Sequence, residues 1–266
     1  MADSSNSSNR LEAVVLAAGK GTRMQSDLPK VCHPVGDRPM VCAVVDVCLE
    51  AGCDRVVVVV GYKQELVREA LSEYGDKVVF AVQEEQLGTG HAVMSAADAY
   101  KDIDTANTDI FVLCGDGPLI RTETLNKLLD LHRSSGAAGT LATSRIEDPS
   151  GYGRIVRDDS GSFARIVEQK NATEDELNIN EVNPSYYCVN AQAMFDALSK
   201  VKRNELTGEY YITDIFEFML DAQQRVEVID AVPPEDILSI NTLEHLALID
   251  SIFRKRQSTS TQGAAT

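Results

Sequence analysis

Five consecutive valines occupy positions 56–60, directly behind Asp54 and Arg55. A β-branched run with no polar face reads as a strand buried on both sides, the mark of a parallel sheet with helices covering both faces. Strand patterns at 11–16, 77–82 and 109–114 repeat the theme. Helical patterns at 39–52, 63–74, 89–100 and 122–133 separate them, the first with Pro39 in its opening turn. Strand and helix in this alternation require right-handed crossovers and predict an α/β architecture. In such sheets ligands sit beyond the carboxyl ends of the strands, so the loops after residues 16, 82 and 114 are where chemistry is expected.

The second half changes character. Strand patterns fall at 139–146, 154–157, 163–168, 186–189 and 226–232, with Asp158-Asp159-Ser160-Gly161 as a hairpin turn. Helices are expected at 191–200, 211–223 and 241–256, and no internal repeat is present. The expectation is one mixed-sheet domain over 10–256, with a partly antiparallel lobe from about 139 to 230. The polar, serine-rich stretches 1–9 and 257–266 read as disordered tails.

At 266 residues the chain can bury a full core. Its formal net charge of -16 argues against a nucleic-acid partner. The six cysteines form no C-x-x-C pair and several sit in apolar runs, which suits reduced thiols in a cytoplasmic protein. No basic-then-apolar secretory signal opens the chain, and no apolar segment approaches membrane-spanning length, so a membrane partner is not expected.

Against that acidity, Lys20, Arg23 and Lys30 gather in the first loop. The dinucleotide fingerprint G-x-G-x-x-G fails there at Met24, and the Walker pattern fails because Gly19-Lys20 is followed by Gly21 and preceded five places earlier by Val14. Glycines of this kind turn backbone N–H groups toward an anion, and the basic side chains would hold a polyphosphate. A plain basic surface loop is the competing reading.

Cys114-Gly115-Asp116 ends a strand, where a carboxylate is placed to hold a divalent metal, or simply to cap a turn before Pro118. Gln83 follows another strand, ahead of Gln86-Leu87-Gly88-Thr89-Gly90-His91. Its amide could pair with a base edge, or the run could only start a helix with Thr89 as cap. His91 reads as a packed helical histidine with no partner near it in sequence. Gly153, Glu168 and Asn183 flank strands, where a carboxylate and an amide suit sugar hydroxyls, but taken alone each reads better as ordinary surface polarity.

The run Leu16-Ala17-Ala18-Gly19-Lys20-Gly21-Thr22-Arg23-Met24, with Lys30 downstream, resembles the signature loop of the sugar nucleotidyltransferases. The later motifs are similar to those of the uridylyltransferase domain of bacterial N-acetylglucosamine-1-phosphate uridylyltransferases, over residues 11–254. The resemblance implies a Rossmann-like, three-layer nucleotide-diphospho-sugar transferase fold of GT-A type, with a mostly parallel mixed sheet and a smaller antiparallel sugar-binding lobe. It implies UTP and a sugar 1-phosphate as substrates, N-acetylglucosamine 1-phosphate first, and Mg2+ as cofactor, held by Asp116 and Asn241. It implies nucleotide contacts from Leu16, Ala17, Ala18, Gly19, Gly21 and Gly115, and base selection by Gln83 and Gly88 with Thr89 nearby. Arg23 and Lys30 would act on the phosphates, and Gly153, Glu168, Asn183, Glu209, Tyr211 and Thr213 would surround the sugar.

Four departures from the family pattern stand out. Cys114 replaces a tyrosine, Gly117 replaces an aliphatic residue, and Pro184-Ser185 replaces a small residue and glycine. The fourth is the lack of a hexapeptide repeat, so acetyltransferase activity is not expected. Open alternatives are glucose 1-phosphate or another base, or a non-catalytic nucleotide-sugar sensor. A homo-oligomer and docking of a separate acetyltransferase through the last helix are both open as assemblies.

Overall fold

The computed structural model describes residues 9–263, so the expectations for 1–8 and 264–266 lie outside the described residues. The strands are β1 (Arg10–Ala17), β2 (Pro34–Val35), β3 (Arg38–Pro39), β4 (Arg55–Val60), β5 (Val78–Val82), β6 (Thr108–Cys114), β7 (Gly139–Arg145), β8 (Gly153–Arg157), β9 (Phe163–Val167), β10 (Glu181–Asn190) and β11 (Val226–Asp230). The helices are α1 (Met40–Glu50), α2 (Gln64–Ala70), α3 (Thr89–Ser95), α4 (Thr122–Ser135), α5 (Glu174–Leu177), α6 (Ala191–Leu198), α7 (Ile215–Asp221) and α8 (Leu243–Gly263).

One sheet runs through the molecule in the order β11-β7-β10-β6-β1-β4-β5. The pairs β1–β4, β1–β6, β4–β5 and β7–β11 are parallel, and β10 lies antiparallel between β6 and β7. The hairpin β8–β9 branches off the start of β10, at Val182 and Asn183. The antiparallel half is thus continuous with the parallel half.

The valine run shows why the sheet needs two covers. Val56, Val58 and Val60 enter one hydrophobic core with α1 and α4, while Val57 and Val59 enter the other with α3, α6 and α7. All five are fully buried, and removing each from water contributes roughly 1.5–3 kcal/mol. Among the described residues no helix is long and apolar enough to cross a membrane.

Several boundaries differ from the sequence expectation. The helix expected over 63–74 stops at Ala70, and its continuation is a 3-10 segment broken at Gly75. The helix expected over 89–100 likewise ends at Ser95 before a 3-10 turn, and α7 is preceded by another at Ile212–Asp214. The strand expected to begin at 186 begins at Glu181, carrying Asn183 and Pro184 within it. Proline is tolerated there because the register of β10 against β7 shifts between Val182 and Tyr186, where a bulge relieves the ladder. At the C-terminus, 257–263 is not a tail but a continuation of α8. Once a docked helix has its nucleus, each further residue adds a hydrogen bond at little cost.

α8 is docked by charge. Arg254 reaches Gly36 O and Asp37, and Asp250 accepts the Gly36 N–H at 2.7 Å. Arg256 donates to Leu119 O at 3.0 Å, and with Arg121 it pairs with Asp236, a fully buried carboxylate. The segment before α8 is held in turn, since Tyr152 and Tyr186 donate their hydroxyls to Ile237 O and Asp236 O. These contacts carry Asn241 to the carboxyl end of the sheet.

Candidate active site

The side chains of Lys30, Asp116 and Asn241 meet at the carboxyl edge of β6. Lys30 Nζ donates to Asp116 Oδ2 and, at 3.0 Å, to Asn241 Oδ1. Asn241 Nδ2 donates to Ser239 Oγ at 3.2 Å, which turns its amide oxygen toward the lysine. A carboxylate and an amide oxygen therefore converge on one positive charge. Such an oxygen pair fits a small hard divalent ion that takes its remaining ligands from phosphates and water. No group of three or more metal-binding His, Cys, Asp or Glu exists among the described residues, so a metal here would rely on substrate oxygens.

The first loop wraps this corner. Gly21 sits at φ 69, and a Cβ on it would come within 2.6 Å of Lys30 Cβ, so glycine is required for the lysine to pass. Gly19, Gly21, Arg23, Lys30 and Asn241 line a cleft of about 590 Å³. Arg23 is exposed and has no carboxylate partner among the described residues. Lys20 and Lys63 both lie over the Tyr62 ring, at 5.3 and 5.6 Å, and Lys63 also donates to Asp27 O. Ala17 is buried at the end of β1, Tyr62 N–H donates to Ala18 O, and Gly115 N–H donates to Leu16 O. This fastens the loop to two neighbouring strand ends.

A second cavity of about 550 Å³ adjoins the first and shares Gly19, Arg23, Gln86 and Glu209 with it. Gln83, Gly88 and Thr89 line one end. Gln83 Nε2 donates to Gly88 O at 3.1 Å and lies 3.1 Å from His91 Nδ1. His91 therefore has a partner eight residues away, which its helical position alone did not suggest. Thr89 does not cap α3; its Oγ1 accepts the Ile212 N–H at 3.1 Å. Tyr210 N–H donates to Leu87 O and Gly90 N–H to Tyr210 O, both at 2.7 Å. Gly88, at φ 101, allows this approach, because a Cβ would lie 2.5 Å from Tyr210 O.

Glu168, Glu209, Tyr211, Thr213 and Ser185 complete the lining, with Glu209 close against Gly88. Thr213 Oγ1 donates to Glu168 Oε1 at 3.3 Å. Burial, reinforced by Glu209, holds the Glu168 carboxyl above its usual range. Burial, with Glu217 and Glu168, pushes Asp214 up to about 6. Asn183 and Gly153 are not among the residues lining this cavity, and the Asn183 amide donates to Tyr187 Oη at 2.7 Å and accepts the Ser185 N–H. Gly153 pairs with Asn183 across the sheet, with Glu168 close by. Burial and the Asp116 carboxylate push the Cys114 thiol up to about 12, so no thiolate is available there.

Gln86, Ser185 and the Tyr210 backbone belong to the site without having been singled out as site residues in the sequence. Gln86 could have been found from its place in the Gln83–Gly88 loop. The Tyr210 contacts are made by main-chain atoms and leave no side-chain signal.

A site of this make, with a basic glycine loop, an oxygen pair at a strand end and a long cleft beyond it, defines a transferase acting on nucleotides. The chain belongs to the nucleotidyl transferase family, whose model matches residues 12–237. It is 42% identical over 250 residues to the bifunctional protein GlmU of Desulfotalea psychrophila, covering 94% of this chain and 72% of that one. It is 45% identical over 248 residues to the bifunctional protein GlmU of Geobacter sulfurreducens, covering 93% and 51%. Against most of these relatives, the chain spans about half their length. An apo UDP-glucose pyrophosphorylase structure superposes with a TM-score of 0.73 over 93% of this chain and 99% of that one, at 18% identity. A UDP-glucose complex of such an enzyme gives 0.71 with the same coverage. At that identity the likeness bears on the fold alone.

Proposed function

We propose that the chain transfers a uridylyl group from UTP to N-acetylglucosamine 1-phosphate, releasing pyrophosphate and forming UDP-N-acetylglucosamine. The observation that carries this reading is the convergence of Lys30, Asp116 and Asn241 beside the basic loop, with Lys30 and Asn241 lining one of the two adjoining clefts. The choice of base and sugar follows from the resemblance of the motifs to those of the uridylyltransferases, and the relatives named GlmU support the family.

In this reading the sugar phosphate oxygen attacks the α-phosphorus in line, the new P–O bond forms, and the bond to the β-phosphate oxygen breaks. Such a reaction needs alignment and charge neutralisation rather than a protein nucleophile. The backbone N–H groups of Gly19 and Gly21 and the Arg23 guanidinium hold the departing pyrophosphate. Lys30 sets a fixed positive charge against the phosphates. Magnesium, held by Asp116 and Asn241, would supply further neutralisation of the phosphate oxygens. Gln83 and Gly88 bind the base, while Glu168, Glu209, Tyr211 and Thr213 accept the sugar. Residues 139–230 form the sugar-binding lobe.

Ser185 favours a second reading for the acceptor. It replaces the family's glycine within the sugar end of the cavity, and glucose 1-phosphate is the alternative sugar. Pyrophosphate release with UTP, magnesium and each sugar phosphate separates the two. Release with N-acetylglucosamine 1-phosphate supports the proposal, and release with glucose 1-phosphate alone replaces the sugar. No release with either overturns the enzyme reading.

A further inference from the structure

Gln83 is nearly sealed in the protein at 3% exposure, yet it lines the base end of the cavity. One hydrogen of its amide goes to Gly88 O at 3.1 Å. That carbonyl fixes which way the amide faces, because the opposite flip would set two oxygens against each other. The same Nε2 lies 3.1 Å from His91 Nδ1. With the amide so turned, its second hydrogen meets the ring nitrogen, and His91 Nδ1 must be the acceptor, with the imidazole proton on Nε2. Both amide hydrogens are then engaged, and only the carbonyl oxygen Oε1 faces a ligand.

Beside it, the Gly88 N–H donates to no protein acceptor among the described residues. The cavity end thus offers one acceptor and one donor side by side. A pyrimidine-2,4-dione presents the complement, an imide N–H next to a carbonyl oxygen. Cytosine presents a ring-nitrogen lone pair at that place and would face Oε1 acceptor to acceptor. We infer that His91 is a positioning residue that works with the Gly88 carbonyl to hold Gln83 as an acceptor toward the base, and so sharpens the choice of uracil-type bases over cytosine that the Gln83–Gly88 pair makes. This rests on the uridylyltransferase reading above and deepens it. His91 can hold this position because its ring lies 6.2 Å from that of Tyr210, whose backbone is bonded on both sides to the 87–90 loop.

The test compares UDP and CDP binding by calorimetry in the full chain, which needs no knowledge of the sugar. His91→Phe keeps a ring of similar size but has no acceptor, and His91→Asn restores an acceptor near the place of Nδ1. The expected result is a fall in the UDP-over-CDP preference of about fivefold to tenfold in His91→Phe, the worth of one neutral hydrogen bond, and its recovery in His91→Asn. With UTP and CTP as substrates the change should appear in KM, with kcat for UTP little altered. Nitrogen-15 shifts of His91 in the unmodified protein give an independent reading that does not depend on the variants folding: Nδ1 should be the unprotonated nitrogen. A preference unchanged in His91→Phe, or a proton on Nδ1, overturns the inference and leaves the uridylyltransferase reading standing. Equal UDP and CDP affinity in the unmodified protein overturns both.

Discussion

The Lys30 ammonium lies against the Asp116 carboxylate across 86 residues of sequence, and neither side chain is more than about a quarter exposed. A surface pair of this kind would contribute little, but this one is sheltered and holds its charge where phosphates would be bound. In the free protein the lysine answers Asp116 and Asn241 together, so it screens the oxygens that a divalent ion would otherwise meet. Lys30→Ala should lower pyrophosphate release by a factor on the order of 10²–10³, as the loss of an electrostatic contact to the reacting group does, with the thermal midpoint little changed. Near-normal turnover would remove Lys30 from the chemistry. Asp116→Ala should give a comparable loss, with a rise in the magnesium needed for half-maximal rate.

Ser185 adopts φ 65, a left-handed conformation that costs a non-glycine residue roughly 1–2 kcal/mol. It also lines the second cavity, where the proposal puts the sugar. Ser185→Gly should therefore raise stability by up to about 1 kcal/mol, seen as a shift of about 2–4 °C in thermal midpoint. It should also change the ratio of kcat/KM between N-acetylglucosamine 1-phosphate and glucose 1-phosphate. A more stable variant with an unaltered ratio would show that the strained backbone serves no part in sugar selection.

Asp214 supplies a pH prediction. Burial first, then Glu217 and Glu168, raise its folded-state pKa to about 6, above the 3.8 of an unperturbed aspartate. Between these values the folded chain binds the proton more tightly than the unfolded chain. This group's contribution to stability is therefore greatest below pH 4 and is lost as pH rises through about 6. Asp214→Asn should remove that loss, stabilising the protein at pH 7.5 by on the order of 1 kcal/mol and having little effect near pH 4. Urea unfolding of both proteins at the two pH values checks it, and an equal effect at both would contradict the assignment.

Asp236 ties the fold to the site. It is fully buried between Arg121 and Arg256, on the segment that brings Asn241 to Lys30. Removing one partner of a buried charged group typically costs about 3–5 kcal/mol. Asp236→Ala should lower the thermal midpoint. It should also weaken magnesium affinity at the site, while UTP affinity, which the proposal assigns to the first loop and Gln83, falls much less. Equal losses in both affinities would show that the segment does not act through Asn241.

Much of this could be read in the sequence, for identifiable reasons. The valines at 56–60 and the glycines of the first loop carry their structural meaning locally, one through β-branching and the other through conformational freedom. The fold class followed from them, and the family resemblance carried Lys30, Asp116 and Asn241 into one site before their contact was visible. What stayed hidden depends on distant partners. Asn183 was expected beside the sugar, and no local pattern announced that its amide bonds Tyr187 and the Ser185 backbone. Thr89 looked like a helix cap, but its hydroxyl serves Ile212. Pro184 masked the start of β10, since only the bulge shows why a strand can contain it. The short α5 did carry a local signal: Thr173 and Glu176 form a capping box.

The placement of Asn241 has a consequence for the order in which capability arises during synthesis. Chains leave the ribosome N-terminal end first, and the strands that lead into the first loop, the 83–90 loop and Asp116 all precede β7. Asn241 emerges only after β11. The 87–90 loop waits as well, because Tyr210 and Ile212, which hold it, emerge late, and Asn241 follows them. Both clefts are therefore completed late in synthesis, and the pair of oxygens beside Lys30 comes last of all.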